Sequence, residues 1–467
     1  MSNISNTLID ESKPSRSRPL HPARGLSLAW ALTLLMIPLA GPWPASAQPE
    51  RVSLRGVMER ARADSREVAA AEARRNASGA RLDQARGHRL PTVKLEEIWL
   101  YTDSPADVFG LQLSQEAFSF ADFVGGDPND PGFLDNAQTR LEISLPVYAG
   151  GEIATRIEQA ELGVAVAARQ AAWTADEAAL AAAAAYIHLA QAREHAALLE
   201  RSLETVRTHA ERARNYEAQG MLVASERLRA EVEVARLEDL LTQARGRARV
   251  AEAALSFRLS APPGSRWDLE PLGEPAPLDG DLSTWLAAVP ARSDLEAARR
   301  QVAAAELEAR VAQAARRPRV GLAVREDFFD QWPVGASGSN TSVVLQGSIA
   351  LFSGGRHKAA AVQSRAEAEA AALDLERFTQ GAALEVRDAW ETARAARERH
   401  ATARQALAAA AEGERITKAR FEKGVVRMID LLDATNSHRE AEARELMARA
   451  DAHLAELELR HRAGQTP

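Results

Sequence analysis

Three acidic residues beside two predicted inter-helix turns are the side chains of this sequence best placed to act electrostatically. Asp430 and Asp433 are three residues apart, so they share a face if the segment is helical. Like charges at close range raise some carboxylate pKa values and attract divalent cations. Glu226 follows Gly220 by six residues, as Asp430 follows Gly424. An acid in the first turn of a helix also interacts favourably with the helix dipole, and this would explain Asp430 or Glu226 alone equally well. Helix-end chemistry explains Asp433 less well, so Asp433 favours an electrostatic function for the pair Asp430 and Asp433.

Other patterns predict neither catalysis nor a cofactor. His188 and His195 are seven residues apart, a spacing typical of heptad packing before metal ligation. Serines lie in no nucleophile elbow, and the glycines at 125–126 and 335–338 do not join a strand to a helix as a phosphate loop does. The absence of cysteine excludes disulfides, thiolate metal sites, a cysteine nucleophile and a lipid anchor on cysteine. We expect no catalytic residue, no cofactor and no metal.

Composition narrows the class further. The chain has 467 residues and a formal charge of −7, which argues against a nucleic-acid binder. Its mean hydropathy of −0.28 argues against a bundle of transmembrane helices. The first 47 residues carry basic side chains, a short apolar run at 26–40 and the small residues Ala45 and Ala47, so they predict a signal peptide cut before Gln48.

The remainder of the chain is an internal duplication. Gly151 and Gly220 are 69 residues apart, and so are Gly355 and Gly424. Each spacing runs from a Gly-Gly pair, which follows an alternating apolar stretch, to a turn between two helical segments. We therefore divide the chain into a first repeat at 48–260 (helix, two strands, long helical hairpin), a Pro/Gly-rich linker at 261–289, and a second repeat with a C-terminal segment at 290–467.

The helical segments are too long for an ordinary globular fold. The runs at about 152–215 and 356–420 contain no proline and are rich in Ala, Glu and Arg. Helices of that length need lateral partners, and coiled-coil spacing in the return helices predicts them. The predicted seams are Leu237, Leu241, Ala244, Ala248, Ala251 and Leu255 in the first hairpin, and Ala443, Met447, Ala450, Leu454 and Leu457 in the second.

Four runs of about ten residues alternate apolar and polar side chains, as transmembrane β-strands do. They lie near 93–101, 141–147, 319–325 and 345–351, with exposed loops expected at 103–137 and 330–341. Four strands cannot close a membrane barrel, and an open edge is not viable in lipid. Three copies would supply twelve strands and six hairpins.

At this level of detail the sequence resembles the TolC family of Gram-negative outer-membrane efflux and secretion factors. The resemblance rests on LPVYAGG (145–151), ALFSGG (350–355), YEAQGMLVASE (216–226) and FEKGVVRMIDLLDA (421–434) in duplicated order. It implies a mixed α+β membrane protein: a homotrimer with a twelve-stranded outer-membrane barrel continued by an α-helical coiled-coil barrel in the periplasm. The implied function is a passive exit duct of an efflux pump or type I secretion system.

The resemblance also implies partners and sites. A periplasmic adaptor, an inner-membrane transporter and outer-membrane lipid are the expected partners. The implied periplasmic gate comprises Asp430, Asp433, Glu226 and Phe421, with phenylalanine where the family has a tyrosine, and with Val426 at the family's gate arginine. The implied adaptor contacts are Gly220, Met221, Leu222, Val223, Gly424, Val425, Val426 and Arg427.

Two other classes fit part of the pattern. A periplasmic adaptor is also exported and coiled-coil, but it normally has one hairpin between sheet domains. A structural coiled-coil protein leaves the alternating strands unexplained.

Overall fold

The strands form two sheets. The structure, a computed structural model, describes residues 49–466, so the predicted signal peptide lies outside the described residues. A short parallel pair joins β1 to β4, and an antiparallel sheet has the order β2-β3-β5-β6. The strands are β1 (Glu50–Val52), β2 (Thr92–Thr102), β3 (Leu134–Ala149), β4 (Trp267–Leu269), β5 (Arg319–Asp330) and β6 (Gly338–Ser348).

The helices repeat in length as the glycine spacing predicts. Both long helices have 67 residues and both return helices have 35, which supports the duplication. The helices are α1 (Leu54–Asp64), α2 (Arg66–Gly87), α3 (Pro105–Ser114), α4 (Phe120–Gly125), α5 (Glu152–Ala218), α6 (Ala224–Arg258), α7 (Leu282–Ala288), α8 (Ser293–Ala314), α9 (Arg356–Glu422) and α10 (Met428–Arg462). Within the described residues, no helix is both long enough and apolar enough to cross a bilayer.

Some expected boundaries were wrong. The segment 103–137 is not only loop, because it contains α3 and α4 and the start of β3. Strand β6 ends at Ser348, so Ile349 and Leu351 lie beyond it. The linker at 261–289 contains β4 and α7. Strand β4 pairs with β1 beside α1, and α7 packs on α9.

The helices form a layer of four columns. Helices α2 and α6 pack on α5. Helices α8 and α10 each pack on both α5 and α9. The helix layer therefore has the α2/α6 column at one edge and α9 at the other. Strand β2 follows α2 and β6 precedes α9, so the unpaired edges of the sheet belong to the same two ends of the repeat order. Both layers are open at both edges within one chain.

The first predicted seam is largely correct and the second is not. In α6, Leu237, Leu241, Ala244 and Leu255 are buried, whereas in α10 Met447 is 46% exposed. The true α10 seam follows from the first by the 204-residue repeat offset, which maps Leu255 onto Leu459. Alanines on several faces of α10 hid this period from the sequence. The buried apolar residues of α10 from 441 onward are Ala441, Leu446, Ala448, Ala450, Ala452, Ala455 and Leu459.

Candidate functional site

The two hairpin turns, which we call the tips (219–223 and 423–427), have the same backbone. Gly220 and Gly424 lie in the left-handed region with φ of 75° and 70°. The Met221 amide donates to Tyr216 O at 2.8 Å, and the Val425 amide to Arg420 O at 3.0 Å. These bonds satisfy carbonyls that each helix end leaves free, and they form the Schellman motif. Glycine adopts this positive φ without the strain that a side chain would cause.

The two first-turn acids act on the same helix end. Asp430 accepts the Arg427 backbone amide of its own turn at 3.0 Å, as a capping-box residue does. Glu226 belongs to the first hairpin but accepts the Met428 amide of the second at 3.4 Å. The beginning of α10 therefore receives two carboxylates, one from each hairpin, and both favour the positive end of the helix dipole.

Asp433 and Phe421, the other two predicted gate residues, lie in opposite environments. Asp433 is exposed one turn beyond Asp430, so its carboxylate is free of the helix-end geometry that fixes Asp430. Phe421 is 7% exposed and packs in a cluster with Met428 and Leu431. The Phe421 ring therefore packs between the hairpins within one chain, and its place in the gate stays a prediction.

The tip side chains divide into an inward and an outward set. Leu222 and Val426 pack against the cluster that contains Phe421. Met221, Val223 and Val425 are each more than 60% exposed, and Arg427 is exposed beside them. Exposed apolar residues rimmed by charge are typical of a surface that binds a protein partner.

The first hairpin carries a regular ion-pair ladder that the sequence reasoning missed. Its positions recur every seven residues on both helices, as flanking charges of an antiparallel coiled coil do. The signal was available in the sequence, since Arg193, Glu200, Arg207 and Arg214 are spaced by sevens. The pairs are Arg193–Glu252 (2.6 Å), Glu200–Arg245 (2.7 Å), Arg207–Glu238 (2.6 Å) and Arg214–Glu231 (2.9 Å).

The ladder ends at the first tip in a shared carboxylate. Glu231 also accepts from Arg227 at 2.8 Å, and Arg227 reaches Glu217 on α5 at 2.5 Å. The hydrogen bonds from Arg214 and Arg227 lower the pKa of Glu231, and those to Glu231 and Glu217 raise the pKa of Arg227. The two helices are thus tied by charge as far as the turn.

The second hairpin keeps one rung of that ladder. Arg397–Glu456 (2.8 Å) matches Arg193–Glu252 under the repeat offset. Arg207 corresponds to Ala411, and its partner Glu238 corresponds to Glu442. Because position 411 has no arginine, Glu442 instead pairs with Arg201 of the first hairpin at 2.7 Å. The second hairpin thus divides its ion pairs between its own helices, as in Arg397–Glu456 and Arg399–Asp451 (3.4 Å), and the first hairpin.

Two histidines of the second hairpin contact glutamates of the same hairpin, and a third, His209, is buried in the first. His438 pairs with Glu414 at 2.5 Å and His400 with Glu445 at 3.1 Å. His209 of α5 is 3% exposed, and neither ring nitrogen has a partner among the described residues. Burial lowers its pKa, and nearby Arg212 and Lys418 lower it further while Glu414 opposes them.

A buried polar cluster joins the end of α10 to α5 and to the beginning of α8. The His461 ring lies 4.3 Å from that of Trp173, and burial with neighbouring Arg462 and Arg292 lowers the pKa of His461 to about 4. The Arg292 guanidinium sits 4.9 Å over the same indole and pairs with Asp294 at 2.7 Å.

The four-stranded sheet has one apolar and one charged face. The register places Leu95 beside Leu141 and Ile143 beside Val324, all on one face. Large apolar side chains on this face are exposed, Leu95 by 73%. Residues of the opposite face form cross-strand ion pairs, Arg140–Asp327 at 2.7 Å and Glu142–Arg325 at 2.6 Å.

Comparisons with known proteins agree with this architecture. A sequence profile of the outer membrane efflux protein family matches residues 287–465. No curated protein matches the chain. Among solved structures, CusC is 16% identical with a TM-score of 0.74, covering 88% of this chain and 92% of its own.

Two further channels from named bacteria have the same fold. The outer membrane protein VceC of Vibrio cholerae is 18% identical with a TM-score of 0.72, over 88% of this chain and 96% of VceC. The CmeC outer membrane channel of Campylobacter jejuni is 13% identical with a TM-score of 0.75, over 88% and 85%. Residues 287–465 match the outer membrane efflux protein family, and the chain has the fold of these channels, in agreement with the resemblance to the TolC family.

Proposed function

We propose that three copies of this chain form the outer-membrane duct of a tripartite efflux pump or type I secretion system. The observation that carries the proposal is the pair of open edges that the strand and helix layers share within one chain. Joining the β2 edge of one copy to the β6 edge of the next closes both layers at once, and closure satisfies backbone groups that lipid cannot. Three copies give the twelve strands that a membrane barrel can use.

The two faces of the sheet support the orientation of that barrel. Exposed Leu95 and its neighbours on the apolar face would contact lipid, and the Arg140–Asp327 and Glu142–Arg325 pairs would line the lumen. The helices then extend the lumen into the periplasm. This location follows from the proposal together with the fold of known outer-membrane channels.

Transport through such a duct is passive. The matched family is one of channels and not of enzymes, so energy comes from an inner-membrane transporter. The exposed tip residues Met221, Val223, Val425 and Arg427 contact a periplasmic adaptor, whose binding opens the tips.

Asp433 and Asp430 form the acidic constriction of the tips in this proposal. In a trimer each residue yields a ring of three carboxylates, which selects cations and attracts divalent ones. Glu226 supports the ring indirectly, because its carboxylate holds the first amide of α10.

The assembly is tested by the native mass of the detergent-extracted outer-membrane fraction. A trimer in that fraction supports the duct, whereas a periplasmic monomer or dimer that needs no detergent overturns it. The adaptor and structural-protein alternatives would both give the second result.

The gate is tested separately in planar bilayers. Asp430→Asn combined with Asp433→Asn should raise conductance and relieve block by divalent cations, with Asp433→Asn alone giving most of the effect because Asp430 is engaged at its helix end. Asp451→Asn, on the same helix and exposed, is the matched control. Unchanged conductance and block in the double variant would remove both residues from the gate.

A further inference from the structure

A recess lies where the helices meet the sheet. The recess has a volume of 630 Å³ and is bordered by α2, β3, α5 and β5. It shares His88 and Arg319 with a neighbouring cavity of 540 Å³ that Glu142 and Arg325 of the charged face also line. Arg319 is on the charged face of β5, whereas Val320 and its partner Tyr148 are on the apolar face, so the recess meets both faces at the end of the sheet.

The lining of the recess combines arginines with an apolar floor. Arg81, Arg156 and Arg319 come from three separate elements. Tyr148, Ile153 and Val320 form the apolar floor, and the carboxylate of Glu152 also lines the recess. Such a mixture of apolar surface with a few convergent polar groups is typical of a small-molecule site.

The positive charge of the recess is not fully used within the chain. Arg156 pairs with Glu308 and Arg319 with Glu152, both at 2.6 Å. Arg81 is exposed, and within residues 49–466 no carboxylate pairs with it. The three segments 81–92, 146–156 and 314–321 contain seven arginines and two acidic residues, a local surplus in a chain whose net charge is −7.

Fold stabilisation accounts for only part of this surplus. Arg317 donates to the Gly150 carbonyl at 3.1 Å and so orders the turn between β3 and α5. Arg81 has no such bond in the described structure, and its side chain borders the recess. A guanidinium left exposed beside apolar floor residues is suited to a carboxylate, sulfonate or phosphate group.

We propose that this recess is an anion-binding station that takes amphipathic organic anions, with the anionic group on Arg81 and the apolar body on Tyr148, Ile153 and Val320. The inference rests on the proposed function only for the setting of the recess, where the tunnel joins the barrel, and adds a ligand class to it. Three copies present three stations at the junction between tunnel and barrel, at the opposite end of the helices from the acidic tips.

Binding is measured by calorimetric titration of 1-naphthalenesulfonate into the full chain in neutral detergent, with empty micelles subtracted. The wild type should saturate with this probe and not with 1-naphthylmethylammonium, which has the same ring and a positive charge. Arg81→Gln should weaken binding about tenfold, because one charge-assisted hydrogen bond is lost, and Arg81→Glu should abolish it. Arg249→Gln, an exposed arginine on α6 outside the recess, should leave binding unchanged.

The outcomes separate this inference from the function on which it rests. Absent binding, equal binding of the cationic probe, or binding unaffected by Arg81→Glu overturns the station, whatever the conductance. Saturable binding with the expected Arg81 dependence supports the station even in detergent, where no pore is needed. If that binding is found but the chain neither trimerises nor conducts, the proposed duct fails while the anion site stands.

Discussion

The two hairpins have the same length and the same turns, but they are held together differently. In the first, four ion pairs at heptad spacing join α5 to α6. In the second, one of those pairs remains, and the freed Glu442 and Arg449 bind Arg201 and Glu194 of the first hairpin. Since backbone geometry is shared, a difference in mobility between the hairpins has to come from side chains. The first hairpin has a regular ladder within itself, whereas the second divides its ion pairs between its own helices and the first hairpin.

The seams differ in the same direction. Leu237 of α6 corresponds to Ala441 of α10, and Leu241 corresponds to Glu445. A leucine buries more apolar surface than an alanine, so the first seam gains more from packing. The second hairpin has a polar contact, His400–Glu445, where the first has the apolar pair Ala196 and Leu241.

The largest expected effect is from Leu237→Ala. Leu237 is fully buried in the cluster that joins the hairpins, so truncation should lower the free energy of unfolding by about 2–5 kcal/mol. Denaturant titration of the detergent-solubilised protein measures it. Leu228→Ala is the control, because Leu228 lies on the same helix and is half exposed. A loss no greater than the control's would mean that the α6 seam does not stabilise the hairpin.

The next effect concerns His461, which corresponds to the exposed Phe257 of the first hairpin. Its folded pKa of about 4 lies below the ordinary 6.5, so folding favours the neutral ring. The stability is present above pH 6.5 and falls as the pH drops from 6.5 to 4, by on the order of 2 kcal/mol. Thermal melts across this range measure the slope.

His461→Gln is the comparison that isolates this contribution, since carboxylates also titrate in the lower part of the range. The variant should lose less stability than the wild type between pH 6.5 and 4. Parallel curves would show that His461 is protonated without cost in the folded protein.

A smaller and equal effect is expected at the two tip glycines. Gly220 and Gly424 have positive φ and no neighbouring atom within 4 Å of an added Cβ, so alanine costs only the backbone strain, about 1 kcal/mol in each hairpin. Gly246→Ala within α6 should instead stabilise by about 0.5–1 kcal/mol. Unfolding titrations of the three variants measure this, and a large inequality between the tips would contradict their shared geometry.

These contrasts show which features of the fold could be predicted from the sequence. The duplication, the tips and four strands were predicted because glycine spacing and alternation are local signals. The α10 seam was not, because alanine marks no single face. Helix α3 begins at Ser104-Pro105, a usable start signal that was passed over. The burial of Phe421 and the convergence of Arg81, Arg156 and Arg319 needed the tertiary structure, since their partners are distant in the chain.

The smallest predicted effect tests the ladder directly. A double-mutant cycle of Arg207→Ala and Glu238→Ala should give a coupling energy of about 0.2–1 kcal/mol, because the pair is about half exposed.

The matched cycle in the second hairpin uses Ala411→Arg and Glu442→Ala, the corresponding positions. The wild-type second hairpin has no rung there, and Ala411→Arg should create one only by taking Glu442 from Arg201. The new rung should therefore tie α9 to α10 and loosen the second hairpin from the first. Protection of the α10 amides from hydrogen exchange measures that change. Protection that rises at the α10 contacts with α5 would show that Arg201–Glu442 is not what holds the hairpins together. High salt should reduce both couplings, as expected for exposed charges.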